Sequence, residues 1–84
     1  IVDCGDVAME PGDAAGNAAR TEAAVRAILA RGAFPLVLGG DHSIPYPVLK
    51  AWQGRTAPIV LHFDAHGDTY DIFEGDRYSH ACPF

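Results

Sequence analysis

Basic residues, cysteines and long apolar runs are all scarce in this 84-residue sequence, and each scarcity removes a class of protein. Six Lys and Arg face eleven Asp and Glu, a formal net charge of −5. A non-specific nucleic-acid partner requires a basic face that displaces counterions from phosphates, so none is expected. Cys4 and Cys82 are too few and too far apart for a disulfide framework or a zinc knuckle. They read as two reduced thiols, Cys4 buried, in an intracellular and cytoplasmic protein. No stretch approaches the ~18 consecutive apolar residues of a membrane span, and no basic-then-apolar leader opens the sequence. The remaining composition, 49% hydrophobic and 20% charged, is that of a small globular unit. Ile1 lies inside an apolar run and Phe84 directly follows a proline, so both ends read as cut and a piece of a larger protein is expected.

The pattern along the chain is strand, helix, strand, helix, strand. Ile1–Cys4 closes at Gly5 as a strand end, and Pro11–Gly16 reads as a loop. Asn17–Arg31 predicts a helix with Ala18, Thr21, Val25, Ile28 and Leu29 on one face, stopped by Gly32. Phe34–Leu38 is a continuous apolar run. Ser43–Trp52 predicts a second helix, capped by Ser43, with Pro45 and Pro47 in its first turn and Tyr46, Leu49 and Trp52 as its apolar side. Ile59–Phe63 is the last apolar run. Runs that are apolar throughout, alternating with helices, predict a parallel sheet covered on both faces, an α/β fold. In such sheets chemistry gathers beyond the carboxyl ends of the strands.

That rule selects two segments. After Phe34–Leu38 comes Gly39-Gly40-Asp41-His42-Ser43, where the glycines let the backbone turn sharply and present His42. The segment lacks the lysine of a phosphate-binding loop and the spacing of a dinucleotide fingerprint. After Ile59–Phe63 comes Asp64-Ala65-His66-Gly67-Asp68. Its three donors would span about 13 Å in a straight strand, too far for one ion. A curl at Gly67, serving two ions about 3.5–4 Å apart, resolves the geometry. Carboxylates and imidazoles without thiolate suit Mn²⁺, Fe²⁺, Co²⁺ or Zn²⁺. His62, inside the apolar run, reads as a hydrogen-bonded core histidine or at most a partner of a ligand. Asp64, Asp68, Asp71, Glu74 and Asp76 form an acidic stretch that reads either as a solvated loop or as a site for cations.

These two segments, with Tyr78-Ser79-His80 behind them, resemble the ureohydrolase family of arginase and agmatinase, over nearly the whole chain. Asp68-Thr69-Tyr70 and Tyr78-Ser79-His80 resemble the agmatinase branch; arginases generally carry Asn where Tyr70 stands. The resemblance implies the amino-terminal part, residues 1–84, of a three-layer α/β/α parallel-sheet fold with two Mn²⁺ ions. It implies that His42 and Asp68 bind one ion, His66 the other, and that Asp64 bridges them. His80 matches a histidine that shuttles protons or contacts substrate, and Asp68 would also orient the nucleophile. The implied reaction is hydrolysis of the guanidino C–N bond of agmatine, a small cationic substrate, to urea and putrescine. The alternatives are arginine, guanidinobutyrate, guanidinopropionate or formiminoglutamate, or a metal-binding homologue without turnover. A homo-oligomer, trimer or hexamer, is implied too, together with a further Asp-x-Asp pair that this sequence does not contain. Gly67 and Ala81 depart from the family pattern, which usually has a bulkier residue and a glycine at those positions.

Overall fold

Asp13 starts the first helix. Its Oδ1 accepts a hydrogen bond from Gly16 N–H at 3.0 Å, satisfying one of the free donors of the first turn. Gly16 is what lets the cap sit so close, because a Cβ there would stand 1.9 Å from Asp13 Oδ2. The computed structural model describes residues 1–84, and in it α1 spans Ala14–Ala30. The helix therefore begins three residues before the expected Asn17. Asp13 supplies the cap, and Ala14 and Ala15 are strong helix formers, so part of the expected loop is helical. At the other end Gly32 has φ 71°, its N–H donating to Leu29 C=O and that of Ala33 to Ile28 C=O. This is the paired carbonyl capping that a left-handed glycine permits.

Helix α2, Pro45–Lys50, is shorter than expected. Ser43 does not cap it: its N–H and Oγ both donate to Asp41 Oδ1, at 2.9 and 2.5 Å, and Ile44 takes the cap position without a side-chain bond. Pro45 sits in the first turn, where its missing N–H costs nothing. The buried side differs in part from the expected Tyr46, Leu49 and Trp52. Pro47 and Ala51, one turn apart, face the interior, with Val48 and Trp52 partly buried beside them and Tyr46 exposed.

The core lies where the two helices meet. Val25 and Leu29 of α1 close on Ala51, and Thr21 is buried on the same face with its hydroxyl donating to Asn17 C=O. Ala18 and Ile28 flank this stripe half-buried, so the expected apolar face of α1 is the one that packs. Arg26 fastens the pair. Its Nη2 donates to Lys50 C=O at 3.0 Å and its Nη1 to Gln53 C=O at 3.3 Å, supplying partners just where α2 runs out of its own. Glu22 accepts from Arg26 Nε at 2.9 Å and stands 3.5 Å from Lys50 Nζ. The Arg26 hydrogen bond, with Lys50 assisting, holds the Glu22 carboxyl below its ordinary value of 4.5.

The expected sheet is absent. The chain forms two helices and no strand, and no backbone hydrogen bond involves residues 34–38 or 59–63. Both runs are unpaired, with Phe34 85% and Ile59 98% exposed. A ladder forms only when a second strand lies alongside, and nothing in these 84 residues brings one run against the other. Ile1–Cys4 is likewise outside any strand, and Cys4 is exposed rather than buried; both cysteines are free. No helix is long and apolar enough to cross a membrane.

One short antiparallel contact does form beyond the helices. Phe73 and Asp76 exchange backbone hydrogen bonds at 3.1 and 2.9 Å across Glu74 and Gly75, whose φ values are 51° and 81°. Two successive positive φ angles mark the turn that matches strand twist. Arg77 pairs with Asp71 across this hairpin. Tyr70 N–H donates to Ala81 C=O, and Phe84 N–H to Asp68 C=O, so the end of the chain returns to the segment after Phe63.

Two outcomes are expected from this packing. Leu29→Ala removes the largest side chain of a three-residue core and should cost about 2 kcal/mol or more, read as lost helical ellipticity in urea titration. The lowered Glu22 pKa stabilises the helix pair above the ordinary glutamate value, and this stabilisation is lost as pH falls through the folded-state value. A carboxyl NMR titration should place Glu22 below an Arg26→Ala variant's Glu22; equal midpoints would contradict the pairing.

Candidate metal centre

Two loops separated by 26 positions meet at one hydrogen bond: His42 Nδ1 lies 2.7 Å from Asp68 Oδ2. The first loop follows Gly39-Gly40. A Cβ on Gly39 would approach Ile44 Cδ1 to 3.0 Å, so glycine lets the chain fold tightly onto the start of α2 and carry His42 inward. The second loop bends at Asp68 itself, whose φ is 49°. The expected curl therefore exists, but the left-handed residue is Asp68 and not Gly67. Aspartate tolerates that conformation because its short side chain finds local hydrogen-bond partners.

Around this contact His42, His62, Asp64 and Asp68 each offer one donor atom, all within 4.8 Å of one another. Asp64 Oδ2 stands 3.9 Å from His42 Nδ1 and 3.6 Å from His62 Nε2. The His42 and His62 rings stack with centroids 5.6 Å apart, and Phe84 lies against both, 4.6 Å from His62. The opposite oxygen of Asp64 faces elsewhere. Oδ1 accepts the His66 backbone N–H at 2.9 Å and lies 3.4 Å from His66 Nδ1. That backbone bond is the main cause of a lowered Asp64 pKa, reinforced by the neighbouring imidazoles, which keeps the carboxylate ionised and acceptor-only.

The five residues read from the sequence are thus not gathered alike. His42, Asp64 and Asp68 converge. His66 sits beside Asp64 but outside the group, its side chain 80% exposed. His80 is exposed and apart, its ring edge-to-face with Phe73 at 5.7 Å. It lies near enough to Asp41 to help lower that carboxyl's pKa, an effect led by the Ser43 hydroxyl and N–H. His62, expected as a hydrogen-bonded core histidine or at most a partner of a ligand, is instead exposed, makes no hydrogen bond and joins the group, and period-two spacing held the signal. His62, Asp64, His66 and Asp68 share one parity, so the alternation that aligned the last three also includes the first.

Two imidazoles and two carboxylates with no thiolate form a donor set that fits first-row divalent cations, the kind of centre that hydrolytic metalloenzymes use. The arginase family model matches residues 1–84, and the chain belongs to the arginase family. It is 60% identical over 52 residues to the mitochondrial arginase 1 of Arabidopsis thaliana, a match covering 60% of this chain and 15% of that protein. It is 40% identical over 85 residues to the mitochondrial guanidino acid hydrolase of Homo sapiens, and 39% identical over 85 to the mitochondrial agmatinase of Gallus gallus. Those two matches cover all of this chain and 24% and 25% of the relatives. The chain therefore spans a quarter or less of the length of these curated relatives. No solved structure matches it significantly. The family implies an α/β fold, of which this structure shows helices and no sheet. The cytoplasmic expectation is overturned, because these three relatives are mitochondrial by name.

The His42–Asp68 hydrogen bond is the only side-chain hydrogen bond joining the two loops, so Asp68→Ala should free the His42 ring from its partner. In a ¹⁵N-histidine spectrum the His42 ring nitrogens should move toward the shifts of an unstructured peptide while α1 stays helical. Unchanged His42 shifts would contradict the contact.

Proposed function

We propose that these residues belong to a hydrolase that cleaves the guanidino C–N bond of a small linear cation, agmatine in the first instance, releasing urea and an amine. The observation that carries this reading is the division of Asp64. One oxygen faces the rings of His42 and His62; the other faces His66. A carboxylate placed between two groups of donors is what a pair of ions requires. His42 and Asp68 would hold one ion and His66 the other, with Asp64 shared between them. When bound, divalent cations, Mn²⁺ by family resemblance, supply the Lewis acidity that makes water nucleophilic near neutral pH.

The chain's own side chains supply the rest. Asp68, beyond its ligand role, accepts a hydrogen bond that aims the attacking water at the planar guanidinium carbon. His80 delivers a proton to the departing amine nitrogen, the step that lets C–N cleavage proceed. Asp71, Glu74 and Asp76 raise the local concentration of a cationic substrate, an effect that salt weakens. Arginine is the second reading, favoured by the 60% identity to a plant arginase over 52 residues. A homo-oligomer, trimer or hexamer, accompanies either reading.

The test uses the full protein that carries these residues, loaded with Mn²⁺ and assayed for urea from agmatine and arginine side by side. Urea from agmatine, with kcat/KM at least tenfold above that for arginine, is expected. Asp64→Ala should lower activity by about a hundredfold or more and release metal at the same time. Metal content unchanged in that variant would refute the sharing of Asp64. The 84-residue chain alone should release no urea, since it holds few donors for two ions.

A further inference from the structure

Residues 76–83, the segment that carries His80, make no hydrogen bond to either helix. Their hydrogen bonds run to one another and to residues 70–73 of the hairpin side. Ser79 closes a turn around His80: its C=O accepts from Cys82 N–H at 3.0 Å and its Oγ from Ala81 N–H at 3.2 Å. A displacement of Tyr78 is therefore carried to His80 through a short, closed link. After His80 the segment is anchored by the buried Ala81 and Pro83 and by Tyr70 N–H on Ala81 C=O. Before it, the anchor is the ring of Tyr78, which meets Tyr46 of α2 with centroids 6.0 Å apart and planes at 78°. In that edge-to-face arrangement the positive edge of one ring meets the negative face of the other. Of the aromatic contacts in the molecule, this one alone joins a helix to the segment. Tyr46 is itself held. Lys50, one turn on, places its Nζ 5.7 Å from the Tyr46 ring centroid and 3.5 Å from Glu22 Oε2 of α1. Ala15, Ala18 and Ala19 of α1 face both rings and leave a cavity of about 60 Å³ there, so the two rings have room to meet.

We infer that Tyr46 and Tyr78 are positioning residues for His80: their ring contact fixes the segment that carries this imidazole against the start of α2. The inference rests on the reading of His80 as the group that protonates the departing amine, and adds to it the side chains that set where that group stands. Proton delivery needs heavy atoms about 2.6–3.2 Å apart, and a misplacement of about 1 Å from a distant change can cost roughly a hundredfold in rate. His80 is exposed, so its own surroundings confine it little and its placement comes from the anchors on either side. Tyr46 lies four residues after His42, on the helix start that follows the His42 turn. Its contact with Tyr78 therefore sets the register of the His80 segment relative to the loop that bears His42. Ring edge and ring face make this contact, so phenylalanine at position 46 serves as well as tyrosine, and leucine does not.

The experiment uses the full protein that carries these residues, loaded with Mn²⁺ and assayed for urea from agmatine and from arginine. Tyr46→Leu should lower kcat about tenfold, keep KM within about twofold and leave bound Mn²⁺ unchanged, while Tyr46→Phe should keep kcat within about twofold of the parent. Tyr78→Leu should match Tyr46→Leu, and the two together should lose no more than either alone. His80→Asn should itself lower kcat about a hundredfold, and in that background Tyr46→Leu should have no further effect. A Tyr46→Leu loss that persists without His80 would overturn the inference, and so would a Tyr46→Leu protein with the parent's kcat. An unchanged kcat in His80→Asn refutes the proton role of His80 and the inference with it. A loss in His80→Asn with none in Tyr46→Leu removes only the part assigned to Tyr46. A second measurement is independent of turnover. In the NMR spectrum of the 84-residue chain, nuclear Overhauser effects should link the Tyr46 and Tyr78 rings and the Phe73 and His80 rings, and Tyr46→Leu should weaken the second link. Absence of the tyrosine link, or a Phe73–His80 link that Tyr46→Leu leaves untouched, would overturn the inference too.

Discussion

The contact between His42 and Asp68 organises this molecule, because it joins two loops that no sheet holds together. Each loop follows an apolar run that is exposed and unpaired, so the usual means of fixing such loops, a common strand ladder, is missing. Side-chain contacts replace it. The imidazole–carboxylate hydrogen bond, the stacked histidine rings and Phe84 packed on them form a small polar cluster with an apolar back.

The helices serve this arrangement from the other side. Val25, Leu29 and Ala51 form a core of three residues, and Arg26 ties α1 to the carbonyls at the end of α2. Since α2 starts two residues after Ser43, fixing α2 fixes the turn that carries His42. The core is small: seven of 84 residues are buried, and most of the large apolar side chains of the two runs face solvent. Burial on that scale offsets little of the chain entropy lost on folding, so a ligand that binds only the folded arrangement has a large relative effect. This is the physical reason to expect metal and fold to be coupled here.

Much of the site was legible in the sequence, and the reasons differ by residue. His42, Asp64 and Asp68, which converge in the structure, were singled out because glycine-rich turns directly after apolar runs mark where backbone ends and chemistry begins. The stripe Thr21, Val25, Leu29 was found from helical spacing alone. The helix starts were misread for local reasons: Asp13 caps α1 early, and Asp41 captures both donors of Ser43. The sheet that the family implies does not form among these residues, for a non-local reason. Strand pairing depends on partners elsewhere in a chain, and runs such as Phe34–Leu38 state only that they avoid water, not that a neighbour is present. His62 was read as a core histidine, or at most a partner of a ligand, because an apolar context outweighed its parity with Asp64. Membership of the arginase family agrees with the motif reading.

The most direct test of the convergence is paramagnetic mapping of the chain. Substoichiometric Mn²⁺ is added and the loss of NMR intensity is followed residue by residue. The account predicts that broadening centres on His42, His62, Asp64 and Asp68, spares Cys4 and the middle of α1, and disappears when the ion is chelated. Broadening centred on Asp71, Glu74 and Asp76, or spread evenly over all the carboxylates, would contradict it.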